Sequence, residues 1–187
     1  MQGDVANLND LDRLYEAVKS RYRQIDVIFA NAGVSQIATL GTVDGAFFDL
    51  HFDANVKGLF FTVQKGLLPM NDRGTIILNA SIATIKGFPG FSFYSATKAA
   101  VRSIARTWTN ELRERRIRVN AISPGHIDTA IFESRQQGAA LVKMKADLAK
   151  SVPLGRMADP DEIAKSLRLV PRFRSSERCL WHRTLRR

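Results

Sequence analysis

Tyr94 and Lys98 stand four residues apart, and Ser81 lies thirteen residues before Tyr94. On a helix, side chains at i and i+4 share one face about a turn apart. A free Tyr hydroxyl, with a pKa of about 10, seldom exchanges its proton at neutral pH. An ammonium one turn away favours the phenolate and lowers that value. A Ser hydroxyl could hold a carbonyl or alcohol oxygen against the Tyr hydroxyl. Such a set suits proton transfer to or from a substrate oxygen. The bare spacing is weak, because most Tyr-x-x-x-Lys pairs are surface neighbours. Its weight comes from the elements that must position it.

Ile25–Ala30 is short, apolar and β-branched, as a buried parallel strand should be, and Thr75–Ala80 and Arg118–Ile122 read as a second and a third strand. Each leads directly into a polar or glycine-bearing stretch. These are Asn31-Ala32-Gly33, Ser81, and Ser123 to Thr129 with Pro124, Gly125 and Ile127. In open α/β sheets ligands bind outside the carboxyl ends of the strands, so the three stretches share one rim. Helices are expected between the strands. Leu11, Leu14, Tyr15 and Val18 form one amphipathic face, with Asn9 or Asp10 as its cap. A long helical region covers about Asp44 to Leu68, and another runs from about Phe93 to Glu114 with Tyr94 and Lys98 in its first turns. Arg73-Gly74 reads as the turn into the second strand. The β-α-β-α-β order predicts an α/β, doubly wound parallel sheet.

Asn55 falls inside the apolar face of the long helical region. An unbonded amide there is costly. It is either a kink satisfied by backbone or an amide that orders water near the active site. Residues 132–150 read as an amphipathic helix that either covers a substrate or simply packs. Asp159-Pro160-Asp161-Glu162 starts a further helix, with Pro in its first position and acids in its first turn. After about Lys165 the periodicity dissolves and no strand is expected.

At 187 residues with 45% hydrophobic content the chain is sized for one globular domain. The one cysteine excludes an internal disulfide framework, which fits a cytoplasmic setting. No apolar run reaches membrane-spanning length, and the start has no secretory pattern. His51, His126 and His182 show no metal-ligand spacing. The formal charge of +10 is uneven: from Arg168 onward seven arginines and one acid give +6, leaving +4 for the rest. Nucleic-acid binding through that end is the sharper reading. A solvated, disordered tail is the plainer and favoured one, because an Arg-rich tail without a stacking platform binds only non-specifically.

Taken together, the motifs resemble the short-chain dehydrogenase/reductase family, of the bacterial kind that includes glucose 1-dehydrogenase-like and 3-oxoacyl-carrier-protein reductase-like enzymes. The likeness runs from about Gly3 to Ile163. It rests on Asn31-Ala32-Gly33, Asn55 in Asn-Val-Lys-Gly, Ser81, Tyr94 with Lys98, and Pro124-Gly125 with Thr129, all in family order. The resemblance implies hydride transfer between NAD or NADP and a small-molecule carbonyl/alcohol pair. Tyr94 would be the general acid/base, Lys98 would lower its pKa and bind the nicotinamide ribose, and Ser81 would hold the substrate oxygen. Asn55 would anchor a water that relays protons through Lys98. Asp4 and Val5 would contact adenine. Asn31, Ala32 and Gly33 would line the cofactor, and Pro124, Gly125, Ile127 and Thr129 would touch its nicotinamide end. Family members are often homotetramers.

Two departures qualify the likeness. The family's Gly-rich phosphate turn has no counterpart in residues 1–187, so the choice between NAD and NADP is unreadable. The expectation is a partial Rossmann-type sheet over residues 1–165, lacking the first strands and the last. Residues 166–187 stand where the family has a closing strand, and codons allowed for Cys179 to Arg187, read one base later, can give a string like that strand. A frameshifted, disordered tail is therefore expected. The rival reading from another class is an inactive remnant or a non-enzymatic interaction protein.

Overall fold

The structure is a computed structural model that describes residues 1–133, 136–169 and 179–180. It divides into two compact units, Met1–Ser123 with Ser175–Arg187, and Pro124–Arg174.

The first unit is built on a parallel sheet. Strand β1 is Ile25–Ala30, β2 is Met70–Asn79, β3 is Arg118–Ile122 and β4 is Cys179–Leu180, in the order β3-β2-β1-β4. Helix α1 (Leu8–Tyr22) precedes β1, and α2 (Gly45–Phe52) and α3 (Leu59–Gly66) lie between β1 and β2. Helix α4 (Ser92–Glu111) crosses from β2 to β3. Ile76 and Leu78 join Val63, Val101, Ala105 and Trp108 in one buried cluster, with Leu14 and Tyr15 of α1 packed against it. Ile77, between them, is also buried. Side chains alternate along a strand, so β2, inside the sheet, is buried on both faces, as an inner strand of a parallel sheet is.

β1 and β3 fall where the apolar runs place them. β2 starts five residues earlier than expected. Ile25 pairs with Met70, but Val27 pairs with Thr75, so residues 71–74 loop out of the ladder. Arg73 sits there at φ 64, a left-handed conformation that lets the chain turn back. Its N–H is bonded to Arg115 O at 2.9 Å. The Arg-Gly turn is therefore a bulge within the strand rather than its start. The α1 cap is also corrected. Asn7, not Asn9 or Asp10, takes that place, and its side chain accepts from the Asn9 N–H. The long helical region is interrupted by a π-helical stretch, Asp53–Gly58, in which Asn55 lies.

The second unit holds α5 (Gly138–Lys150) and α6 (Pro160–Leu169). The helix expected from residue 132 thus begins at 138. Ile127 pairs with Ala158 as a parallel bridge. α6 opens with a reciprocal cap: Asp161 N–H donates to Asp159 Oδ1 at 2.7 Å, and Asp159 N–H donates to Glu162 Oε2 at 2.8 Å. A paired Arg156 holds the Glu162 carboxyl down at about 2. α6 passes the expected boundary at residue 165 by four residues. The two-residue β4 was not foreseen either: Val27 pairs with Cys179 and Ile28 with Leu180. The rest of the expected disordered tail lies outside the described residues. Among the described residues no helix is long and apolar enough to cross a membrane.

Candidate active site

β2 delivers two of the site's groups. Its last residue, Asn79, is followed by buried Ala80 and Ser81. Ser81 is in extended backbone, and its Oγ accepts from Ala83 N–H at 3.2 Å, which starts a short 3-10 turn at Ile82–Thr84. Arg102 of α4 donates to Thr84 Oγ1 at 2.9 Å and ties that turn to the helix.

Tyr94 and Lys98 lie on the first turns of α4, as the spacing predicts. Lys98 Nζ sits 5.7 Å from the centre of the Tyr94 ring. Only 4% of Lys98 is exposed, and burial pulls its pKa from 10.5 to about 8. Removing an ammonium from water disfavours the charged form. The compensation is dipolar: Nζ donates to the main-chain carbonyl of Asn79 at 2.8 Å. No ion pair to Lys98 is found among the described residues. An ammonium has three N–H donors, so two remain to point at a ligand.

Asn55 is fully buried. Its Oδ1 accepts from Val34 N–H at 2.8 Å, and its Nδ2 donates to Val34 O at 2.9 Å. The same Nδ2 donates to Thr97 Oγ1 at 3.1 Å, and Thr97 donates on to Tyr94 O at 2.8 Å. The amide is therefore satisfied by backbone, at a π-helical irregularity of the kind often found at functional sites. Both amide donors are used, so any water that this side chain orders must donate to it. Gly33 is needed at this point. A Cβ there would lie 2.7 Å from Asn55 Oδ1 and 3.5 Å from Lys98 Nζ.

The other expected cofactor residues fall in three places. Val5, Asn31 and Ala32 line one small pocket with Phe29, Ala30, Leu59 and Thr62. That lining is mostly apolar, with the Asn31 carboxamide and Thr62 as its polar groups, and the cavity of about 10 Å³ has room for one water. Asp4 is not in the lining. Its Oδ1 accepts from Ala6 N–H at 2.9 Å and its N–H donates to Asp10 Oδ2 at 2.8 Å, so its carboxylate closes the turn before α1. Pro124, Gly125, Ile127 and Thr129 belong to the second unit, where Asp128 N–H donates to Ala158 O at 2.9 Å.

Sequence reasoning missed Asn79, Thr97 and Val34, which hold the named residues in place. Asn79 also donates from Nδ2 to Asn31 Oδ1 at 2.6 Å, joining the ends of β1 and β2, while its own Oδ1 is buried without a partner among the described residues. A polar residue closing an apolar strand was the available signal for Asn79. The contacts of Val34 and Thr97 are set by tertiary packing and had none.

A parallel α/β sheet with a Ser just beyond β2 and a Tyr and a buried Lys on the first turns of α4 defines the class of fold. Comparison with known proteins gives the family. Residues 1–170 match the family described as enoyl-(acyl carrier protein) reductase. The chain belongs to the short-chain dehydrogenase/reductase family. It is 42% identical over 168 residues to the oxidoreductase asL5 of Sarocladium schorii, covering 87% of this chain and 65% of that protein. It is 33% identical to the 3-oxoacyl-[acyl-carrier-protein] reductase FabG of Thermotoga maritima, covering 92% of this chain and 70% of that one. A short-chain dehydrogenase/reductase from Brucella melitensis, described as a glucose/ribitol dehydrogenase, superposes with a TM-score of 0.83 at 25% identity. That match covers 91% of this chain and 67% of the solved one. The chain thus spans about two thirds of the length of the relatives it matches, and 65% of the length of the first.

Proposed function

We propose that this chain carries the proton-transfer site of an NAD(P)-dependent oxidoreductase that interconverts a carbonyl and an alcohol. The reading rests above all on Lys98, a buried lysine beside the Tyr94 ring, held by a carbonyl rather than a carboxylate. A carboxylate partner would cancel the positive field that Tyr94 needs. A carbonyl orients the ammonium and leaves its charge intact.

In this reading Tyr94 gives its proton to the substrate oxygen during reduction and takes it back during oxidation. Lys98 favours the tyrosinate electrostatically. Ser81 donates to the substrate oxygen. The two remaining N–H groups of Lys98 suit the hydroxyls of a nicotinamide ribose, while Val5 as an adenine contact and Asn31 and Ala32 as cofactor lining are carried over from the family. When bound, the cofactor supplies or accepts the hydride. Gly33 allows the turn to approach the site closely, and Asn55 holds that turn to the helix. Pro124, Gly125, Ile127 and Thr129 are carried over from the family as contacts to the nicotinamide end. The substrate class is a ketone or the corresponding secondary alcohol, and a homotetramer is carried over on the resemblance alone.

The test is turnover of the purified chain with NADH and NADPH on a panel containing a 3-oxoacyl thioester and a hydroxynaphthalenone. Cofactor binding is measured in parallel by calorimetry. Tyr94→Phe should abolish turnover and leave cofactor binding nearly unchanged. Cofactor binding with no turnover on any carbonyl would favour a non-enzymatic binding protein.

A further inference from the structure

His51 is fully buried, yet the chemistry proposed above does not use it. It lies on α2, four residues before Asn55. Its Nδ1 is 2.9 Å from Phe47 O, and its Nε2 is 3.2 Å from the Gln36 backbone nitrogen. A backbone N–H can only donate, so Nε2 must be bare. Nδ1 then carries the hydrogen and donates to Phe47 O. The ring is the neutral Nδ1–H tautomer, fixed by its two partners.

Asn55 and His51 grip the same segment at alternate residues, Val34 and Gln36. The two side chains stand four residues apart along one helical run, and their backbone partners stand two residues apart. One side of that run therefore offers two side-chain rungs to one segment. The segment they hold follows directly from Asn31–Gly33, the turn whose Gly33 lies close against Asn55 and Lys98.

We propose that His51 is a positioning residue, the second rung of a side-chain clamp with Asn55, and that it sets the cofactor-facing turn at residues 31–33 by holding Gln36. The reference to the cofactor rests on the oxidoreductase reading; the clamp itself does not. Its chemical requirement is a bare nitrogen or oxygen acceptor at the Nε2 position. Volume alone does not meet it.

The experiment compares the full chain with His51→Leu, which keeps bulk and removes the acceptor, and His51→Gln, which restores an acceptor on a side chain of similar reach. Amide hydrogen exchange is followed residue by residue. In His51→Leu the Gln36 and Val34 amides should exchange about tenfold faster, while the β2 amides at Ile76 and Leu78 keep their rates. His51→Gln should recover most of the protection. Cofactor affinity should fall about fivefold in His51→Leu and be rescued in His51→Gln, with turnover at saturating cofactor changed less. Unchanged exchange at Gln36 in His51→Leu would overturn the proposal. So would a uniform acceleration in which Ile76 and Leu78 follow Gln36, since that is the signature of a merely structural residue. A measurement on the unaltered chain guards against variants that fail to fold: imidazole 15N shifts should report the Nδ1–H tautomer, and an Nε2–H tautomer would overturn the clamp. If the exchange and tautomer results hold while neither cofactor binds, the oxidoreductase reading fails and the clamp stands.

Discussion

Asn55 meets both polar groups of Val34, accepting from its N–H at 2.8 Å and donating to its carbonyl at 2.9 Å. A side chain here pairs with backbone much as a neighbouring strand would. Asn55→Ala leaves both Val34 groups and Thr97 without that partner. The expected loss is about 2–3 kcal/mol of unfolding free energy, from partners left unbonded rather than from the removed bonds. Urea unfolding checks it. Asn55→Asp keeps an acceptor but has no donor for Val34 O, so it should not rescue. Stability equal to the unaltered chain in either variant would show that the amide is dispensable.

Gly33→Ala should be costly for a different reason. The new Cβ would lie 2.7 Å from Asn55 Oδ1, closer than such atoms approach. Asn55 or the turn must move, at about 1–3 kcal/mol. Because the turn faces Lys98, cofactor affinity should fall along with stability. Calorimetric titration and thermal unfolding of the same sample test both effects. A variant that loses neither would place the turn away from the site.

Lys98 gives a pH dependence whose sign follows from its burial. Its pKa is lowered from 10.5 to about 8, so between those values the unfolded chain binds more protons than the folded one. Unfolding free energy therefore rises with pH from about 8 to 10.5. The shift corresponds to a burial cost on the order of 3 kcal/mol that is fully present below about pH 8. Lys98→Met removes that cost and should flatten the rise while abolishing turnover. Stability measured in urea across this range decides the matter. A fall with rising pH that disappears in Lys98→Met would contradict the assignment.

Among the described residues β1 is paired more fully on one side than on the other. β2 pairs along it from Ile25 to Ala30, whereas among the described residues β4 pairs at Val27 and Ile28. An open edge that is apolar and central in character invites pairing with another chain. Removing residues 175–187 should therefore raise the oligomer fraction seen by size-exclusion chromatography with light scattering. An unchanged sharp peak would mean that β4 does not shield the edge.

The parts of the fold governed by local periodicity were legible in the sequence. β1 is an apolar run broken only by Asp26, β3 is a short run carrying Val119 and Ile122, and both lie where the sequence places them. Tyr94 and Lys98 were legible because a helix converts a spacing of four into a shared face. The bulge at 71–74 was read as a turn, because Arg73-Gly74 marks a reversal without saying that pairing begins before it. The two-residue β4 carries too little pattern to announce itself. The lowered pKa of Lys98 and the bonds of Asn55 depend on what packs around them, and a single sequence does not record that. His51 was noted only for lacking metal-ligand spacing, although its place four residues before Asn55 was in view.

The π-helical stretch at Asp53–Gly58 has a consequence for how this family member can vary. A wider turn uses more residues per revolution than the 3.6 of an α-helix, so the stretch sets the angular phase between α2 and α3. α2 turns Phe47 and Phe48 towards Phe93, while α3 turns Leu59 and Val63 into the buried cluster. A π turn holds about one residue more than the α turn it replaces, so inserting a further residue between 53 and 58 would swing everything downstream by about 100°, the angle per residue of an α-helix. Leu59 and Val63 would then leave the cluster although every side chain stayed chemically the same. Deleting one residue would instead let the stretch close to ordinary α-helix with nearly the same phase, so along this helix one loss is absorbed and one gain is not.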